Sequence, residues 1–145
     1  MSANNSGEYI GKYLSIARRA HASLLDEKLQ PYDISHGQIL LLMTIYQREG
    51  LNQHQLCSIY NLDKAGVNRS INRLVRAGYV VKKPDEEDRR KKGLYLTKKA
   101  LEFKPRLVEI LAQVESQVRK NLSQEEIDVF LKIIRKITSN LGVKL

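Results

Sequence analysis

The chain has 145 residues, of which 42% are hydrophobic and 28% are charged. This length and composition suit one globular domain with its own hydrophobic core, and they exclude a disordered chain. Lysine and arginine outnumber the acidic residues by 25 to 16, for a net charge of +9, which favours a polyanionic partner such as DNA, RNA or an anionic membrane surface.

The sequence shows no sign of a membrane or secreted protein. Its longest uninterrupted apolar run, Ile39 to Met43, is too short to cross a bilayer. The N-terminus lacks the charged and apolar pattern of a signal peptide. The single cysteine, Cys57, cannot form an internal disulfide, which agrees with a reducing compartment. We therefore expect a cytoplasmic protein with no membrane partner.

Start and stop signals predict four helices in the N-terminal half, from about Gly7 to Leu29, from Ser35 towards Gly50, from Asn52 to Tyr60, and from Asp63 to Gly78. Pro31 disfavours helical geometry at the residue before it and ends the first helix. The second and third helices open with capping boxes, in which a serine or asparagine is followed three residues later by glutamine. Asp63 is a typical N-cap for the fourth.

After Gly78 the period changes from that of a helix to that of a strand. Tyr79 to Lys83 and Leu94 to Thr97 are short segments rich in β-formers, and they flank a charged loop that begins at Pro84. This pattern predicts a two-stranded hairpin with a long exposed tip.

The C-terminal third is predicted to be helical again. Pro105 falls early in the fifth helix and predicts a kink or a break there. Ser123 and Glu126 form a third capping box at the start of the last helix. The apolar residues of that helix step by three and four residues, as in the seam between packed helices, at Ile127, Phe130, Ile134, Ile137 and Leu141.

The third and fourth helices form a helix-turn-helix, a unit that presents one face of its second helix to the major groove of DNA. Val67, Ile71, Leu74 and Val75 are predicted to face inward. The residues predicted to face outward are Lys64, Ala65, Asn68, Arg69, Asn72 and Arg73. Arginine pairs with guanine edges and asparagine with adenine edges, so this face is a candidate for reading base pairs. The alternative is an ordinary solvated helix face.

The hairpin tip is the second candidate contact with DNA. Ten basic residues and four acidic residues lie between Lys64 and Lys92, so this stretch carries +6 of the net charge. The cations of the tip are Arg89, Arg90, Lys91 and Lys92. An arginine on such a loop suits a narrow minor groove, and Asp88 is placed to hold Arg90 through a bidentate contact. The alternative is a solvated loop without a partner.

The residues from 62 to 80, LDKAGVNRSINRLVRAGYV, closely resemble the recognition helix of the MarR (multiple antibiotic resistance) family of regulators. Asp88 and Arg90, followed after five residues by Leu96 and Thr97, resemble that family's D-x-R-x5-L-T signature. The resemblance extends over nearly the whole chain. Gly66, where many members have serine or threonine, and Ala100, where glycine is common, depart from the pattern.

The resemblance implies a mainly α fold with a small β-hairpin wing: a winged helix-turn-helix with N- and C-terminal dimerisation helices. Residues 1–145 would form one domain, with 35–97 as the DNA-binding lobe and 7–34 and 98–145 as the dimerisation helices. It implies a homodimer on double-stranded DNA, most often a repressor. Asn68, Arg69 and Arg73 would contact bases or phosphates, and Arg90 would be the wing arginine.

Members of the family often release DNA on binding a small aromatic or anionic effector. Helical projection places His21 near the centre of the apolar stripe of the first helix, with Arg18 at its edge. The two are candidates to hold a carboxylate, although an internal hydrogen bond or a salt bridge across the dimer is the commoner role. Cys57 has no evident charged neighbour, and we expect it to be a small core residue rather than a redox sensor.

Two other function classes are weighed against a regulator. The three histidines are scattered and no glycine-rich phosphate loop is present, so we expect no enzyme activity, no cofactor and no metal site. A winged-helix module that binds only proteins is the remaining alternative, and binding to random duplex DNA discriminates between the two.

Overall fold

A computed structural model describes residues 8–145, and the order of its elements is the one that the sequence predicts. The elements are α1 (Ile10–Leu29), a 3-10 turn (Gln30–Tyr32), α2 (His36–Gln47), α3 (Gln53–Tyr60), α4 (Lys64–Arg76), β1 (Val80–Pro84), β2 (Lys92–Leu96), α5 (Lys98–Arg119) and α6 (Gln124–Asn140). The fold class is confirmed as mainly helical with one antiparallel hairpin.

All three predicted capping boxes form. At the start of α3, the Gln55 N–H donates to Asn52 Oδ1 at 2.8 Å, and the Asn52 N–H donates to Gln55 Oε1 at 2.9 Å. Each box supplies partners for backbone amides that have none within the helix. Local side chains therefore fix where α2, α3 and α6 begin.

Several predicted element bounds differ from those of the structure. α1 begins at Ile10, after extended backbone at Tyr9, and Gly7 lies outside the described residues. In the hairpin, β1 continues to Pro84 and pairs there with Lys92, so the tip is shorter than predicted. Proline lacks an N–H to donate, but it is tolerated at the end of a strand in a sheet this narrow.

α5 runs without interruption through Pro105, so the predicted break is wrong. Proline removes one hydrogen bond from the helix interior and crowds the preceding turn. Buried Phe103 before it and Leu107 after it attach both parts of α5 to the core. Tertiary packing therefore keeps the helix continuous.

One hydrophobic core joins the end of α1, helices α2 to α4, the hairpin and α5. Tyr79, immediately before β1, is the largest of its fully buried side chains. The Tyr79 hydroxyl donates to the Tyr32 carbonyl at 2.8 Å, and its ring centroid lies 5.1 Å from that of Phe103. Desolvation by burial raises the pKa of Tyr79, and nearby Asp33 raises it further. This buried tyrosine holds the hairpin against the helices.

The terminal helices leave large apolar side chains uncovered. Within the described residues, no residue of α6 is buried. The largest exposed apolar side chains of α1 and of α6 with its flanks are Ile10, Tyr13, Ile16, Leu122, Val129, Phe130, Ile133 and Leu141. In the same part of the chain, no helix is long and apolar enough to cross a membrane.

Candidate nucleic-acid interface

The helix-turn-helix is built by α3, a turn at Asn61 and α4. Asn61 adopts a left-handed conformation (φ 52°), which asparagine tolerates better than most residues. Asp63 then caps α4 by accepting a hydrogen bond from the Gly66 N–H at 2.8 Å. A Cβ atom on residue 66 would lie 2.8 Å from Asp63 Oδ1. The departure from the family pattern at Gly66 therefore leaves room for this cap.

α4 divides into a buried face and an exposed face. Val67, Ile71 and Leu74 are buried as predicted, whereas Val75 is 37% exposed and does not belong to the inner face. Val75 instead borders the outer groove. The six residues predicted to face outward are all exposed: Lys64, Ala65, Asn68, Arg69, Asn72 and Arg73.

An open groove of about 680 Å³ runs along the exposed side of α4. Three arginines line it, Arg69, Arg73 and Arg76, and Arg73 donates to Ser35 Oγ at 3.3 Å. Because the groove is cationic and solvent-facing, its chemistry suits an anionic partner. The sequence prediction did not include Arg76, although its position three residues after Arg73 would have placed it on the same face.

Two side chains outside α4 also contact its exposed face, and sequence reasoning missed both. Gln53 Nε2 on α3 donates to Asn68 Oδ1 at 3.2 Å. Lys82 Nζ on β1 donates to Asn72 Oδ1 at 3.3 Å. Both contacts depend on how elements pack, so no local sequence signal would have predicted them.

The wing projects its cations into solvent. Arg89, Arg90, Lys91 and Lys92 are all exposed, and the Arg90 side chain is 93% exposed. Asp88 Oδ1 accepts from the Arg90 backbone N–H at 3.1 Å and from Arg90 Nε at 3.3 Å. A single carboxylate oxygen makes both contacts, so the predicted bidentate pair with the guanidinium does not form. Asp88 therefore stabilises the turn through the Arg90 backbone N–H and restrains the Arg90 side chain at Nε.

A short third segment attaches the wing to α2. The Gly50 N–H donates to the Leu94 carbonyl at 2.8 Å, and the Leu94 N–H donates to the Leu51 carbonyl at 2.9 Å. Gly50 has φ 89°, a conformation that favours glycine. A Cβ atom on Gly93 would lie 3.0 Å from the Gly50 carbonyl oxygen, so the two backbones approach closely at this point.

Comparison with known proteins is consistent with this architecture. A model of the MarR family matches residues 32–91. The HTH-type transcriptional regulator YybA of Bacillus subtilis is 24% identical over 128 residues, which are 88% of this chain and 85% of that protein. A MarR protein from Peptoclostridium difficile superimposes with a TM-score of 0.86 at 29% identity, covering 97% of this chain and 92% of that one. The chain is therefore similar to MarR-family regulators in sequence over residues 32–91 and in fold over most of its length.

A MarR-family structure with DNA shares the same fold. It is a putative MarR family transcriptional regulator from Listeria monocytogenes complexed with 26mer DNA, with a TM-score of 0.83 and 22% identity. The match covers 92% of this chain and 89% of that one. The fold of this chain is therefore that of the winged-helix MarR transcriptional regulators.

The two candidate effector residues line one crevice. Arg18 and His21 border a hollow of about 660 Å³ between α1, α2 and the start of α4. Its apolar wall includes Leu25 and Met43. The buried residues of α1 are Ala22, Leu25 and Leu29, whereas His21 is exposed, so His21 lies at the edge of the apolar stripe and not at its centre as predicted.

Cys57 packs against the core cluster, as predicted, but it is only half-buried. It also lines a hollow between α3 and α4, together with His54 and Lys64. Across residues 8–145, no group of three or more histidine, cysteine or acidic side chains is arranged to hold a metal ion.

Proposed function

We propose that this chain is a homodimeric repressor that binds a pseudo-palindromic operator with sequence specificity. The observation that carries the proposal is the position of two cationic elements on one lobe. One element is the row of exposed arginines on α4, and the other is the wing with Arg90 at its tip; Lys82 on β1 of the wing contacts Asn72 on α4. On one duplex, α4 would enter the major groove and the wing would reach the adjacent minor groove.

Different residues would have different roles on the duplex. Arg69 and Arg73 suit guanine edges, and Lys64 at the first position of α4 suits a phosphate. Ala65 at the helix start leaves space for close approach of the backbone. Arg90, followed by Lys91, would enter the minor groove. Repression would follow if such a complex covers a promoter.

The uncovered terminal helices support a dimer. The side chains of Val129, Phe130 and Ile133 on α6 are each about half exposed or more in the single chain. Burying apolar area of this kind stabilises an interface by roughly 25 cal/mol per Å². If a second copy interlocks its α1, α5 and α6 with these helices, the exposed apolar side chains of both copies are covered at the same time. The two recognition helices would then lie on the same side of the duplex.

The proposal is tested by selecting duplexes from a random library with the purified chain. We expect inverted half-sites with centres about 34–36 Å apart, and affinity that falls steeply as salt rises. In vitro transcription from a promoter that overlaps the selected site should fall when the protein is added. Binding without sequence preference, or no binding in dilute buffer, would instead favour a module that contacts only proteins.

We also propose that the crevice at Arg18 and His21 takes a small aromatic or other organic anion. The guanidinium supplies a charge for the carboxylate, and the wall at Leu25 and Met43 supplies apolar contact. A panel of aromatic acids is tested for a rise in melting temperature and for loss of operator binding. The His21→Ala variant should abolish both responses, and a response that survives this change would place the effector elsewhere.

A further inference from the structure

The contact between Asn72 and Lys82 fixes which end of the Asn72 amide faces outward. Lys82 Nζ lies 3.3 Å from Asn72 Oδ1. An ammonium group has three donors and no acceptor, so only the amide oxygen of asparagine can bond to it. The Asn72 amide nitrogen is therefore the end of the side chain that remains available to donate to a base in the DNA major groove.

This orientation conflicts with the usual pairing of asparagine and adenine. In that pair the amide oxygen accepts from adenine N6 while the amide nitrogen donates to N7. In this chain the oxygen is engaged by a cation from the wing, and that cation also repels the partly positive N6 amino group. The oxygen keeps a second lone pair, but the ammonium beside it disfavours an incoming amino group, so Asn72 offers a base chiefly its two N–H donors.

We propose that Lys82 is a positioning residue that makes Asn72 read a base chiefly as a donor, so that the base pair it contacts presents guanine or thymine rather than adenine or cytosine. Guanine offers acceptors at O6 and N7 and thymine offers O4, whereas cytosine presents its N4 donor. The inference rests on the proposed binding of α4 in the major groove. Beyond that proposed binding, the inference identifies the base edge that α4 selects and the residue outside α4 that determines the selection.

The remainder of the exposed face of α4 has the same character. The Asn68 oxygen accepts from Gln53 Nε2 at 3.2 Å, so this amide also turns its nitrogen outward. Arg69, Arg73 and Lys64 are donors only. A face built from donors favours an operator half-site whose contacted edge is rich in acceptors, and guanine is the base with two of them.

The test compares base preferences of the full-length chain and its variants by selection from one random duplex library. Asn72→Ala first locates the position that Asn72 reads, because the preference there should disappear. At that position wild type should select guanine or thymine. Lys82→Met frees the amide to pair with adenine, so the ratio of adenine to guanine should rise about tenfold.

Two matched variants separate positioning from simple loss of charge. Lys83→Met removes the same charge from the opposite face of the hairpin, where Lys83 Nζ lies 5.5 Å from the centre of the Tyr95 ring. Lys82→Arg keeps a donor at the Asn72 oxygen. Both should keep the wild-type base preference, even where affinity and its salt dependence change. Circular dichroism melting confirms that each variant is folded.

Three outcomes would overturn the proposal while leaving the proposed function intact. Wild type selects adenine at the Asn72 position, Asn72→Ala changes no position, or Lys82→Met and Lys83→Met give the same base profile. The last would mean that Lys82 only contributes charge near a phosphate. Failure of wild type to bind any duplex would overturn both proposals.

Discussion

Asp26 on α1 accepts hydrogen bonds from the backbone N–H of His36 at 2.7 Å and from its ring Nδ1 at 2.9 Å. His36 is the first residue of α2, so this carboxylate satisfies an amide that has no partner within the helix. Desolvation by burial raises the pKa of Asp26, but the two bonds from His36 and the nearby charge of Arg73 outweigh it, and the pKa is lowered. One side chain thus joins the N-terminal helix to the DNA-binding lobe.

Asp26→Ala should reduce the free energy of unfolding by about 1–2 kcal/mol at neutral pH, because a helix-start amide and the His36 ring lose their acceptor. The folded pKa lies below the ordinary value of 3.8. The contribution is therefore present above that value and is lost as the pH falls through the lower folded pKa. Urea unfolding at several pH values measures it.

Glu27→Ala is the control for Asp26→Ala, since it removes a neighbouring charge from α1 without that contact. It should leave the free energy of unfolding nearly unchanged across the same pH range. If the gap between wild type and Asp26→Ala persists unchanged in acid, then the lost stability does not come from the ionised carboxylate.

Gly93→Ala should destabilise the wing. The new Cβ atom would lie 2.9 Å from the Tyr95 ring and 3.0 Å from the Gly50 carbonyl oxygen, and the second contact is with backbone that cannot easily move. We expect a loss of about 1–3 kcal/mol, typical of overpacking. Gly11→Ala is the control, because nothing lies within 4 Å of its Cβ position. It should be neutral or stabilising in thermal melts, and equal losses for both would contradict the close approach at Gly93.

Features fixed by residues close together in the sequence were predicted correctly, whereas features that depend on contacts between distant residues were not. The capping boxes and Asp63 act on amides a few residues away, so α2, α3, α4 and α6 begin as predicted. The continuity of α5 through Pro105 depends on burial against distant helices, so the sequence left a kink and a break as alternatives and only the structure excludes the break. The same reason applies at the site: the 3.6-residue period identified the exposed residues of α4, whereas Lys82 reaches Asn72 only after the hairpin has packed.

Arg73→Ala should weaken binding to the selected operator by about 1–3 kcal/mol if Arg73 contacts a base. The side chain is exposed, and its one side-chain hydrogen bond within residues 8–145 is the 3.3 Å bond to Ser35 Oγ, so the fold and the dimer should be unaffected. Fluorescence anisotropy with the operator and with a scrambled duplex measures both affinity and specificity. Arg135→Ala on α6 is a control of equal charge, and an equal loss of affinity there would argue for a purely general charge effect.

Arg90→Ala should also reduce operator affinity by about 1–3 kcal/mol, since its guanidinium is exposed to solvent and can reach a minor groove. Asp88→Ala keeps the cation but removes the oxygen that accepts from the Arg90 N–H and Nε. We expect it to cause a smaller loss, because the arginine must then be ordered on binding. The same anisotropy assay compares the operator affinities of the two variants. A gain of affinity in Asp88→Ala would mean that repulsion between this carboxylate and the DNA phosphates outweighs its support of the turn.

Phe130→Asp should dissociate the proposed dimer. Phe130 is 58% exposed in the single chain, next to the exposed side chains of Val129 and Ile133, so a carboxylate there would be buried without a partner if a second copy covers these residues. Lys132→Asp places the same carboxylate on the opposite side of α6 and should leave the dimer intact.

Sedimentation velocity at micromolar protein concentration measures the oligomeric state of Phe130→Asp. The anisotropy assay measures its affinity for the operator, which depends on a dimer that binds both half-sites. Because α6 is not packed into the core of its own chain, Phe130→Asp should leave the DNA-binding lobe folded, as circular dichroism will show. A wild-type monomer, or a Phe130→Asp protein that remains a dimer, would mean that α6 is not the helix that joins the two copies.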